Sequence, residues 1–300
     1  MKIVLPGGSG QVGAVLTRDF QAAGHEVVIL GRGAQTNLHG ARHVQWDART
    51  FEGNWVNELE DADAVINLAG EPIDQRWTEK HRRLFHESRV GVTVRVVEAI
   101  AKLPESERPR VLVNASAVGI YGDRGDEILY DGARPGRGYL AELCHDWEDA
   151  ARDAESLGVR VVRLRTGIVL GKGGPAFEKL RGVFKLGIGG RLGSGKQWMP
   201  WIHLDDHRAA IVHAVFSETL AGPVNGSAPN PERNNDFSRK LGDALHRPAI
   251  LPSPAFALKL VLGEFATALL ASQRALPSAL LADGFSFRHP TLESALAELI

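Results

Sequence analysis

Apolar residues along this 300-residue chain fall into two alternating patterns. Short apolar runs at 2–5, 25–30, 44–47, 64–70, 109–115 and 160–164 read as strands. Between them lie stretches whose apolar residues recur one helical turn apart, beginning with Val12, Leu16 and Phe20. The longest, 78–102, carries Val90, Val94, Val97 and Ile100 on one stripe and Arg82, Arg83 and Arg89 on its other face. A further helix is expected over 138–157. This alternation predicts an α/β fold, a doubly wound parallel sheet with right-handed crossovers.

The pattern changes after residue 170. Residues 187–197 are too rich in glycine for a packed element and read as a loop or lid. Apolar sequence returns over 198–204, and Asp205 is placed to cap a helix running through Val212 and Val215. Helices are expected over 235–245, 255–272 and 291–299. Residues 1–170, rejoined by 201–225, are therefore assigned to the α/β domain. Residues 171–200 and 226–300 are assigned to a smaller, mostly helical region.

One stretch ties the pattern to chemistry. Gly7, Gly8, Ser9, Gly10, Gln11, Val12 and Gly13 lie between the first strand and the first helix. Strand, glycine turn and helix N-terminus form a cradle for a dinucleotide pyrophosphate. The second strand ends at Gly31-Arg32, where an acid would favour NAD. The arginine found there instead suits the 2′-phosphate of NADP(H). Asp47, ending the third strand, suits an adenine edge or a plain turn equally. Leu68, Ala69 and Gly70 end the fourth strand and are expected to face the cofactor, since ligands in such sheets lie beyond the strands' carboxyl ends.

Composition narrows the partners. Thirty-five Lys and Arg balance 36 Asp and Glu, so nucleic acid and membrane are not expected as partners. The single cysteine, Cys144, fits a reducing compartment, and with no leader pattern at residue 1 a cytoplasmic location is expected. The apolar region 254–272 holds Lys259 and Glu264 and suits an amphipathic helix. The histidines show no metal-ligand spacing with Cys144, so no metal is expected.

Together these residues resemble the extended and atypical short-chain dehydrogenase/reductase superfamily, and within it the epimerase-family, nucleotide-sugar-epimerase-like group with a helical C-terminal extension. The matching motifs are the GGSGxxG turn, Asn67-Leu68-Ala69-Gly70-Glu71, Arg76-Trp77, Ser88-Arg89 and 115–122. Trp147-Glu148, 165–171, 195–203 and 284–287 complete the set. Pro6 departs from it, standing where the superfamily has threonine. The resemblance implies a Rossmann-type domain binding NADP(H), a small-molecule substrate and a possible homodimer. It adds Arg89 and Val169 to the cofactor residues.

The superfamily's catalytic set is a tyrosine, a lysine four residues later and a hydroxyl from the fifth strand. Here Ala117 stands four before Tyr121, with Ser116 one residue away on the other side of the strand. Tyr139 is followed at the lysine position by Leu143; aligning on Glu148 gives Leu140 and Cys144 instead. Tyr139 and Ser116 remain the catalytic candidates, with a phenol expected near its reference pKa of about 10. Cys144, His145 and His203 have structural readings as a buried thiol, a surface residue and a core residue; Glu71 and Arg76 are candidates to line the nicotinamide side. Two functions follow: an NADP(H)-dependent oxidoreductase or epimerase-like enzyme acting on a small polar or nucleotide-sugar substrate, or a non-catalytic NADP(H)-binding sensor or scaffold.

Overall fold

The computed structural model of the protein describes residues 1–33 and 40–300. The chain opens with β1 (Lys2–Pro6), α1 (Gln11–Ala22), β2 (Glu26–Gly31), β3 (Arg42–Gln45) and β4 (Ala64–Asn67). Next come α2 (Glu79–His86) and α3 (Val92–Lys102), joined through a π-helical turn at Glu87–Gly91. Then follow β5 (Val111–Ala117), the short β6 (Ile128–Leu129), α4 (Tyr139–Arg152), β7 (Arg160–Thr166) and β8 (Ile168–Leu170). The remainder is α5 (Pro175–Lys185), β9 (Trp198–Met199), β10 (Trp201–His203), α6 (Leu204–Phe216), β11 (Gly222–Gly226), β12 (Glu232–Arg233), α7 (Asn234–Ala244), α8 (Ala255–Leu262), α9 (Phe265–Leu270), β13 (Arg274–Ala275), α10 (Ser278–Ala282) and α11 (Leu292–Leu299).

Seven strands form one parallel sheet in the order β11-β7-β5-β4-β1-β2-β3. Both faces are covered, which explains the unbroken apolar runs. Along β1, Ile3 and Leu5 enter a core with Phe20, Ile211 and Val215, while Val4 enters the opposite one with Val96, Ile100 and Val161. The strand order reverses between β1 and β4, so a crevice opens beyond their carboxyl ends. A third cluster, with Phe177, Trp201, Phe237 and Leu296, binds α5, β10, α7 and α11 together.

The structure departs from the sequence pattern at several elements. The π-helical turn rotates the helix beyond it, so Val92, Val96, Val97 and Ile100 are buried while Val90 and Val94 are only half-buried. The helix expected over 255–272 breaks at Gly263, whose φ of 63° is left-handed. Helix α6 is capped by His203 rather than Asp205: the imidazole Nδ1 accepts the Asp205 N–H at 3.1 Å. Helix α5 has no counterpart in the sequence reading; Pro175 starts it, and Phe177 and Phe184 bury one face two turns apart.

Candidate functional site

The crevice is floored by the glycine turn. Gly7 has a φ of 75°, and a Cβ there would lie 2.7 Å from the Ala69 backbone. A Cβ on Gly13 would lie 2.3 Å from the Gly8 carbonyl oxygen, so α1 can press onto the turn only without a side chain. Gly10 is the helix N-cap, in extended conformation and without a side-chain cap bond. The first-turn N–H groups are thereby left to a ligand. Pro6 does not disturb this arrangement, because its carbonyl accepts the Leu68 N–H at 2.9 Å and Gly7 N–H reaches Leu30.

Above the turn is a cavity of about 850 Å³. Of the predicted cofactor residues, Gly7, Ser9, Gly10, Gly31, Arg32, Leu68, Ala69 and Gly70 line it. Gln11, Val12, Gly13, Arg89 and Val169 do not: the Gln11 amide donates to the Lys172 carbonyl, Val12 packs on the core, and Val169 pairs β8 to β10. Gln45, Arg49, Thr50, Glu87 and Ser88, not anticipated from the sequence, also wall this cavity. A basic residue two positions past the strand expected over 44–47, and four past β3 itself, was the available signal for Arg49; Ser88 arrives only through the π-helical turn. Asp47 forms the turn, with Oδ1 accepting from Arg49 and Thr50 N–H groups, and these bonds hold its carboxyl below the usual range. Arg32 is mostly exposed and 3.5 Å from Glu71, while Arg49 pairs with Glu87 at 3.1 Å.

Arg89 is the electrostatic anomaly of the site. Its Nη2 donates to the Glu71 carbonyl at 2.9 Å, and its guanidinium lies 5.4 Å from the Trp147 ring centroid. Burial pushes its pKa down, and its neighbours Cys144, Tyr139 and Glu71 oppose that shift. Among the described residues it bonds carbonyl and hydroxyl oxygens, with no carboxylate in salt-bridge contact. Of the arginines on the helix's polar face, Arg83 is exposed and Arg89 is half-buried. A half-buried cation with neutral partners is costly unless an anion joins it.

The two catalytic candidates are separated. The Ser116 hydroxyl donates to Glu148 Oε1 at 2.7 Å, inside a buried bidentate pair of Glu148 with Arg165 at 2.7 and 2.8 Å. Ser116 lines neither this cavity nor the next. Tyr139 lines a second cavity of about 350 Å³ between α4 and α9, with Trp77, Arg82, Arg137 and Glu264. Its hydroxyl donates to the Arg82 carbonyl at 3.2 Å. Burial raises its pKa above the ordinary phenol value, against the pull of Arg82 and Arg89, which corrects the expectation of an unperturbed phenol. Cys144 is fully buried against Gly119 with its pKa pushed up to about 12, so the thiol is inert at neutral pH.

Other candidates have structural work. Arg76 donates to the Leu260 and Val261 carbonyls at 2.8 and 3.3 Å, pinning α8 rather than lining the nicotinamide side. His145 is exposed beside Asp149, at 3.1 Å. His203, Asp205 and His289 converge closely enough to hold a metal ion. They are partly engaged: His203 Nδ1 accepts an N–H, the Asp205 oxygens hold Arg208 and Arg288, and His289 Nε2 lies 2.9 Å from Glu298, while the buried His203 Nε2 has no hydrogen-bond partner among the described residues.

Residues 3–222 match the family model described as NAD dependent epimerase/dehydratase family, and 253–299 match a domain of unknown function, DUF1731. Epimerase family protein Mb2239 of Mycobacterium bovis is 40% identical over 296 residues, covering 98% of this chain and 96% of that protein. The chloroplastic SDR39U1 homolog of Arabidopsis thaliana, also an epimerase family protein, is 37% identical over 302 residues, covering 100% and 87%. The crystal structure of human epimerase family protein SDR39U1 (isoform 2) with NADPH superposes with a TM-score of 0.89 at 33% identity, covering 100% of this chain and 99% of that one. With the glycine turn, the seven-stranded parallel sheet and the match across 3–222, the chain belongs to the NAD dependent epimerase/dehydratase family.

Proposed function

We propose that the protein binds NADP(H) in the larger cavity and acts as an oxidoreductase or epimerase-like enzyme on a small polar substrate held against Tyr139. The carrying observation is the glycine-floored cavity beside the anion-free Arg89. The cradle fits the group, since a side chain on Gly7 or Gly13 would collide with backbone. Gly7 to Gly13 would hold the pyrophosphate, Arg32 the 2′-phosphate, and Leu68 to Gly70 the nicotinamide half. The human relative, crystallised with NADPH, supports this choice of cofactor. When bound, the cofactor supplies or accepts hydride.

The chain's own contribution is positioning and a proton. Tyr139, kept protonated by burial, is the proton donor to a substrate oxygen in the second cavity. Arg82, 4.5 Å from the Tyr139 ring centroid, and Arg89 stand in for the cation that Leu143 and Cys144 do not provide. A cavity of about 350 Å³ lies at the lower end for ligand pockets and favours a compact substrate over a nucleotide-linked sugar.

The second reading, a non-catalytic NADP(H) sensor, draws on the commitment of Ser116 to Glu148. One set of measurements separates the two. Titration calorimetry should show NADPH bound more tightly than NADH, with Arg32→Ala removing most of the difference. NADPH oxidation across a carbonyl panel should then show turnover that Tyr139→Phe lowers about a hundredfold. Tight cofactor binding with no turnover on any carbonyl or sugar nucleotide would assign the sensor role. Equal affinity for NADPH and NADH would refute the cofactor choice.

A further inference from the structure

Eight of the fourteen large apolar side chains exposed among the described residues fall within 183–188 and 250–261. Leu186, Ile250, Phe256 and Leu260 each expose three-quarters or more of their surface. Helix α8 is apolar at every position except Lys259, yet buries no residue. A helix of that composition ordinarily hides a face.

Two backbone segments run side by side and bring the exposed residues after α5 next to the chain that leads into α8. Leu251 N–H donates to the Gly189 carbonyl at 3.3 Å, and Ser253 N–H to the Arg191 carbonyl at 2.8 Å. Gly193 N–H returns to the Ser253 carbonyl at 2.8 Å, and Arg247 Nε reaches the Lys185 carbonyl at 3.4 Å. The turn after α5 therefore lies along the segment that leads into α8.

The charge of this surface is one-sided. Residues 172–196 and 246–262 hold eight Lys and Arg and one acid, Glu178, in a chain whose net charge is −1. Glu178 is itself engaged, by the Gly173 N–H and Arg181. Lys179 in turn pairs with Asp74 from outside the two segments, so the even overall balance, which argues against any charged partner, conceals a local excess of six positive charges.

We propose that this face docks on the surface of an anionic phospholipid bilayer. Apolar side chains protruding from a basic surround match the boundary between anionic headgroups and acyl chains. A nucleic acid would leave Ile250 and Leu260 without an apolar partner. A two-fold contact with a second copy would set the excess positive charge against itself.

The test is sedimentation of the full chain with extruded vesicles of phosphatidylcholine alone, or containing roughly 30% phosphatidylglycerol, in about 0.1 M salt. Binding should be about tenfold or more stronger to the anionic vesicles, and should fall by a similar factor in about 0.5 M salt. Lys185→Glu with Lys259→Glu, and separately Phe256→Ser with Leu260→Ser, should each reduce it about tenfold while melting temperature stays near the parent's. No binding to anionic vesicles, or equal binding to neutral ones, overturns the proposal. A dimer in gel filtration that the Phe256→Ser, Leu260→Ser variant dissolves assigns the face to a second copy and also overturns it.

Discussion

The Arg89 guanidinium lies over Gly70: a Cβ on that glycine would be 3.2 Å from Arg89 Nη2, which bonds the Glu71 carbonyl next along the chain. Helix and strand end thus hold a cation at the edge of the crevice without a carboxylate to neutralise it. Arg89→Met should weaken NADPH binding about tenfold, equivalent to about 1.4 kcal/mol. Its unfolding free energy should change little, because an apolar replacement of a desolvated charge without a carboxylate partner is commonly neutral or stabilising. Calorimetric titration and urea unfolding measure the two; weaker stability with unchanged affinity would make Arg89 purely structural.

Gly13 and Gly10 should respond differently to alanine. Gly13→Ala drives a methyl into the Gly8 backbone and should cost about 1–3 kcal/mol, read as a lowered denaturation midpoint. At Gly10 the nearest atom to an added Cβ is the Gly7 carbonyl oxygen, at 3.7 Å, so Gly10→Ala should fold normally. Its methyl would enter the cavity, and NADPH affinity should fall about tenfold. If both variants bind as the parent does, the turn does not cradle the cofactor.

Arg165 and Glu148 form a buried fork that also takes in Ser116, and Arg165 reaches Tyr121 and the Asp131 carbonyl, both at 2.9 Å. Arg165→Met leaves the Glu148 carboxylate without its bidentate partner and should cost about 3–5 kcal/mol. Adding Glu148→Gln should restore part of that loss, a coupling that a double-mutant cycle in urea would register. Additive losses would show that the two side chains act independently.

His207 supplies a pH dependence. It is fully buried, its Nε2 is 3.0 Å from Thr166 Oγ1, and burial pushes its pKa down from 6.5 to about 4. As pH falls below 6.5 the unfolded chain takes up this proton while the folded chain does not, so stability is lost between pH 6.5 and about 4. At about 1.4 kcal/mol per pH unit the loss approaches 3 kcal/mol. Above pH 6.5 this histidine adds no slope. Unfolding free energies of His207→Gln and the parent should converge as pH falls through this window; parallel profiles would remove His207 as the cause.

The cofactor floor was legible because it is local: Gly7, Gly10 and Gly13 belong to one turn between contiguous elements. Leu68 to Gly70 were legible because a parallel sheet places its strand ends together. Arg49 and Ser88 were not, since their approach depends on the third strand's exact end and on a π-helical turn that no apolar spacing announces. Ser116 looked available in the sequence because Glu148 and Arg165, far along the chain, are what claim its hydroxyl.

By itself the sequence determined the parallel α/β architecture, the glycine cradle and the missing tyrosine–lysine pair. Those follow from periodicity, backbone freedom and residue identity, all short-range properties. Only the tertiary structure decided that Arg89 is a half-buried cation without a carboxylate, that Tyr139 lines a separate cavity, and that the apolar and basic segments 172–196 and 246–262 run side by side. Burial and charge are set by what packs alongside, and those neighbours come from distant segments that only folding brings together.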